Sequence, residues 1–142
     1  MQSSRSVGGI AFEAQTDGVR CEDCGHQEVS RLVSERFNLL IAVDLARVGH
    51  GGPEAVRFQR HALGYSAAKL AELIGVTPDT ISRWENNKHP TPRPVVILLA
   101  TLAADRLHGN QDTETSLRAM NSPRPRGITR SLPAVTAFLP SK

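Results

Sequence analysis

Apolar positions recur at helical spacing in several blocks of this 142-residue chain. Between 29 and 48, Leu32, Val33, Phe37, Leu40, Ile41, Leu45 and Val48 form one stripe, which predicts an amphipathic helix. Residues 53–63 begin on a proline and carry Val56, Phe58, Ala62 and Leu63, a second helix. Residues 94–107 carry Val95, Leu98, Leu99, Leu102 and Ala103, and Val96, Ile97 and Ala100 widen that stripe nearly all round. A helix so apolar is buried on more than one side, so it either fills a core or also meets a partner subunit. Residues 1–9 read as flexible, and 10–20 read as two short strands about an Asp17-Gly18 turn. After 109, Gly, Asn, Ser and Pro dominate without apolar period, which predicts a largely disordered basic tail with a short helix near 114–120.

The segment 66–88, SAAKLAELIGVTPDTISRWENNK, has the sharpest local grammar. Ser66 is an N-cap and Ala67 a first helical residue, with Leu70, Ala71 and Ile74 on one face. Gly75 suits a left-handed helix end. Thr77 caps the next helix and Pro78 occupies its first position, where a missing N–H costs nothing. Val76 and Ile81 bracket that cap as a hydrophobic staple, as Tyr65 and Leu70 do around Ser66. Ile81 and Trp84 face inward, leaving Asp79, Thr80 and Arg83 outward. Two helices this short are marginal alone and must lean on neighbours. The pattern is that of a DNA-binding helix-turn-helix.

The stretch 55–105 resembles the Cro/repressor-type, or XRE, helix-turn-helix domains, through Ser66, Leu70, Ala71, Gly75, Val76, Thr77, Ile81, Ser82, Arg83, Trp84, Glu85, Asn86 and Lys88. The resemblance implies a lambda-repressor-like, mainly α fold. It also implies base contacts from Pro78, Asp79, Thr80 and Arg83, and backbone contacts from Ser66, Ala67, Lys69, Thr77, Asn86, Asn87 and Lys88. Arg can take guanine O6 and N7 together, and Asp can accept from cytosine N4. Asp79 would otherwise be a helix-start charge. Asn87 stands where relatives have Gly, and Asn tolerates the left-handed conformation. Trp84 is expected in the core, and the family's structural ion pair falls on Arg60 and Glu85.

Composition narrows the partners. The net charge of +3 is carried by residues 111–142, while 1–110 balance. Within 57–106, seven Lys/Arg face four Asp/Glu, which suits a reader of DNA with a weakly basic face and not a strongly basic coating protein. No signal peptide or run of transmembrane length is visible, so a cytoplasmic location is expected.

The two cysteines sit in CEDCGHQEV as Cys21-x-x-Cys24-Gly, half of a zinc knuckle. A structural zinc takes four ligands, and no second pair is present. Completion by His26, by His50 or by the same pair of a second subunit, a knuckle that folds without metal, and a redox pair all remain open.

A Cys-pair hairpin, a linking helix and an XRE domain in that order is similar to the MqsA-type antitoxins, also described as YgiT-type zinc-finger proteins. That resemblance implies an N-terminal module that binds zinc and a toxin, and a helix-turn-helix that dimerises and represses its own operon. The expected organisation is a hairpin with a degenerate zinc-knuckle at 1–28, a linking amphipathic helix and hinge at 29–52, the DNA-binding domain at 53–108 and the tail at 109–142. The expected function is a sequence-specific transcriptional regulator, an antitoxin-like autorepressor that binds double-stranded DNA as a homodimer on an inverted repeat. The alternatives are an antitoxin whose main role is to neutralise a toxin, or a stand-alone phage- or plasmid-type repressor. No phosphate-binding Gly loop, paired carboxylates in a motif or Ser/His/Asp arrangement points to an enzyme. No membrane partner is expected, and no cofactor unless zinc is bound.

Overall fold

A computed structural model describes residues 1–137. Four short strands, β1 (Gln2–Val7), β2 (Ile10–Gln15), β3 (Gly18–Arg20) and β4 (Gln27–Val29), precede six helices. These are α1 (Arg31–Arg47), α2 (Pro53–Leu63), α3 (Ala67–Ile74), α4 (Pro78–Glu85), α5 (Arg93–Leu107) and α6 (Asp112–Met120). The fold is mainly α, with a small hairpin before the helix-turn-helix.

The N-terminal strands differ from expectation. Residues 1–9, expected to be flexible, hold a strand and its turn: β1 pairs antiparallel with β2 from Gln2↔Gln15 to Val7↔Ile10. The turn is Gly8-Gly9, not Asp17-Gly18, because two successive residues with φ of 55° and 82° match the twist of a two-residue hairpin. Phe12 then buries beside Val7 while its sequence neighbours face water. Asp17 and Gly18 instead lead into the separate β3–β4 ribbon, whose tip holds the two cysteines.

Helix α1 lies between two apolar clusters. Phe37, Ile41 and Leu45 pack with Val7, Phe12 and Ala55, and Leu39 and Ala42 enter the larger cluster around Val56, Leu70, Ile81 and Leu99. Its buried face is therefore rotated from the predicted stripe: Leu32, Leu40 and Val48 are more than half exposed. A helix covered on two sides has no single stripe to read. Its most extensive helix partner is α5. Buried Gln59 of α2 ties the three helices, its Nε2 donating to Ala42 O at 3.0 Å and Val96 O at 3.2 Å. The segment 49–52 thus turns the chain between helices that pack on each other.

The tail begins with order. Asp112 N donates to Asn110 Oδ1, Thr113 N donates to Asp105 Oδ2, and α6 lies against α3 and α5. Residues 121–137 are exposed and form no helix or strand.

Candidate nucleic-acid interface

The caps that place α3 and α4 are local. Ser66 Oγ accepts from Lys69 N at 3.0 Å, and Gly75 ends α3 at φ 77°. Thr77 Oγ1 accepts from Thr80 N at 3.2 Å, with Pro78 as the first helical residue. Ile81 and Trp84 are buried, which fixes the rotation of α4 and leaves Pro78, Asp79, Ser82 and Arg83 in solvent. The chain leaves α4 through Asn87, at φ 58° the one non-glycine residue of positive φ among those described. Lys88 and His89 follow, their backbone N–H groups both donating to Arg83 O.

Beneath this surface, Arg60 and Glu85 meet at 2.9 Å with side chains only 14% and 6% exposed. Arg60 Nη1 also donates to Tyr65 O, so one guanidinium joins α2, the start of α3 and the end of α4. Breaking such a buried pair typically costs about 3–5 kcal/mol. Trp84 and this pair are scaffold for the exposed face.

On that face, Asp79, Ser82, Arg83, Asn86, Lys88 and His89 line one shallow depression. Arg83 Nε meets Asp79 Oδ2 at 2.9 Å, and Arg83 Nη1 lies 3.5 Å from His89 Nε2. Thr80 is only half-buried, but its hydroxyl is engaged with Thr77 Oγ1 at 2.9 Å. Ser66 Oγ accepts from the backbone, so its own hydrogen stays free to donate. Ala67 and Lys69 share that helix start, where N–H groups and the helix dipole suit a phosphate. Asn86 departs from expectation: its amide nitrogen donates to Ser82 O at 2.8 Å and Ser82 Oγ at 3.1 Å. The amide nitrogen is thus turned towards Ser82 and engaged inside the protein. Two residues missed by sequence reasoning join the surface. His89 approaches Arg83, and Arg57 of α2 donates to Glu85 O. His89 was one residue beyond the motif; Arg57 lies 28 positions before its partner, with no local signal.

Cys21 and Cys24 lie apart from this face, exposed and free. Cys21 N donates to His26 O and Gly25 N to Cys21 O, so the turn holds itself. Hydrogen bonds from the Cys24 backbone, then the Cys24 thiol and the Asp23 backbone, pull the Cys21 thiol below its usual range. Among the described residues no group of three or more His, Cys, Asp or Glu converges to hold a metal. The pair alone does not fit a tetrahedral structural zinc.

Taken together, α2 to α5 present a helix-turn-helix with an exposed polar recognition face. The model of the helix-turn-helix family, of the XRE type, matches residues 56–105. No curated protein and no solved structure matches the chain. The matched domain supports a DNA-binding transcription regulator, and its family is typically non-enzymatic. Among the described residues no helix is long and apolar enough to cross a membrane.

Proposed function

We propose that the protein is a sequence-specific regulator that binds an inverted repeat as a homodimer, laying α4 of each subunit in a major groove. The observation that carries this reading is Arg83, which stands exposed at the centre of the recognition face on a helix locked from behind by Ile81, Trp84 and the Arg60–Glu85 pair. Pro78 and Thr80 flank it as base-facing neighbours. Ser66, Ala67, Lys69, Thr77 and Lys88 grip the backbone to either side, with Asn87 supplying the turn that aims Lys88. Half-sites about 34 Å apart are the default for such a dimer.

Support for self-association comes from the seam of α1 and α5. Leu40 and Ile97 are more than half exposed there, and Leu40, Val43, Ala104 and Leu107 border an apolar groove with Phe12 and Ala14. Exposed apolar surface of this kind commonly marks an interface. The order of Cys-pair ribbon, helix and DNA-binding domain supports an autorepressing antitoxin as the form the regulator takes, with the ribbon as the toxin-facing part.

Selection of bound sequences from random duplex DNA tests the reading. A two-fold-related consensus containing guanine is expected. Arg83→Ala then loses about 1–3 kcal/mol of discrimination at one base pair of each half-site, roughly 5- to 150-fold, with the fold intact. An unenriched pool, or full discrimination in that variant, would overturn it.

A further inference from the structure

Asn86 holds the position expected of a backbone-phosphate donor, yet its amide nitrogen is turned back onto its own helix. Nδ2 donates to Ser82 O and Ser82 Oγ, and the backbone N–H also donates to Ser82 O. Its remaining polar atom, Oδ1, accepts from Arg57 Nη2 at 3.5 Å.

Arg57 stands beside it with the opposite balance. The residue is exposed on α2, and Nη2 also donates to Glu85 O at 3.1 Å. A guanidinium has five N–H donors. Two are occupied by the end of α4, and three, on Nε and Nη1, have no partner among the described residues. The two oxygen acceptors on Nη2 hold the guanidinium plane, so less freedom is lost when Nη1 or Nε binds. A charged N–H of this kind makes a strong hydrogen bond to one phosphate oxygen.

The N-terminal hairpin brings a second cation to the same place. Arg5 of β1 pairs with Phe12 across the ladder and shares a strand face with Val7, so it lies at the rim of the buried face. With Arg57, Asn38, Glu54, His61 and Glu85 it lines a cleft of about 490 Å³ between the hairpin and α2. Arg60 takes up the charge of Glu85, which leaves Glu54 against two guanidiniums.

We propose that Arg57, with Arg5 beside it, is a seat for a DNA backbone phosphate flanking the recognition helix, next to an Asn86 whose amide is turned towards Ser82. The seat rests on the reading of α4 as the DNA-reading helix. It gives the N-terminal hairpin a part in that grip.

The test is affinity of the full chain for the selected duplex and for a scrambled one, measured as salt is raised. Arg57→Ala is expected to weaken both complexes by the same factor and to lower the slope of log affinity against log salt by about one. Arg57→Gln, which keeps a donor towards Glu85 without the charge, gives the same shallower slope, whereas Arg57→Lys retains it. Arg5→Ala shallows it in the same direction as Arg57→Ala. A wild-type slope in both Arg57→Ala and Arg57→Gln overturns the seat while the regulator reading stands. Failure of the unmodified chain to prefer the selected duplex overturns that reading and the seat with it.

Discussion

Arg83 meets Asp79 through Nε and His89 through Nη1, which leaves one hydrogen of Nη1 and both of Nη2 to donate. Guanine readout needs two parallel donors, which Nη1 and Nη2 supply. Asp79 therefore fits a positioning role better than a base-reading one, and its charge also repels phosphates in a misplaced register. Asp79→Ala is expected to raise affinity for scrambled DNA and to lower discrimination at the base pair read by Arg83 by about two- to fivefold, the range of an exposed ion pair. Binding measurements against single-base operator variants check it. Discrimination lost at a cytosine that Arg83 does not read would instead make Asp79 a reader in its own right. The candidate face was largely legible at this scale, because capping and staple residues act within four positions. Arg57 was not, since its partners lie 28 and 29 residues away.

At the scale of elements, α6 is held by polar contacts and by the partly buried Leu117. None of its residues is buried, and Met120 is 83% exposed. Glu114 accepts from Arg118 Nη2 at 2.9 Å, and Asn121 Nδ2 donates to Glu72 O on α3. Tyr65 lies under α6, its ring beneath Arg106 at 5.3 Å, and burial pushes its hydroxyl pKa up. The Arg118 guanidinium, helped by the Tyr65 hydroxyl, holds the Glu114 carboxyl below the usual carboxylate range. A carboxyl whose folded value is depressed stabilises above its unfolded value, about 4.3, and loses that contribution as pH falls through the folded one. Protection of the α6 amides, corrected for the intrinsic exchange rate, should fall from roughly pH 5 downward, ahead of α3 and α4. Arg118→Ala should lower that protection near neutral pH and flatten its dependence on pH; an unchanged profile would show that apolar contacts hold the helix. The sequence indicated this helix only dimly, because its short apolar pattern competes with the polar composition of the tail around it.

The whole molecule turns on α1. Its Leu39 and Ala42 close the core of the helix-turn-helix, and its Phe37, Ile41 and Leu45 carry the hairpin. A chain that begins at Gly49 would uncover Val56, Val96 and Leu99 and would take Ala42 O from Gln59. Losses of several buried aliphatic contacts, at about 1.5–3 kcal/mol for each side chain, are comparable with what a small domain holds in reserve. Such a fragment is expected to melt without a cooperative transition, whereas the full chain melts as one unit. Calorimetry of the two decides it, and a sharp transition in the fragment would make α1 dispensable.

The sequence by itself determined the helix-turn-helix: where α2 to α5 begin and end to within a residue or so, and which side of α4 faces out. Those properties follow from caps, glycine conformations and apolar period, all of which act over a few residues. Only the tertiary structure decided three further things. The hairpin turns at Gly8-Gly9, since burial of Phe12 and Val7 against α1 selects that register. Helix α1 is an integral layer, because its burial depends on two partners at once. Arg57 is poised at the end of α4, because hydrogen bonds between distant residues leave no periodic trace in the chain.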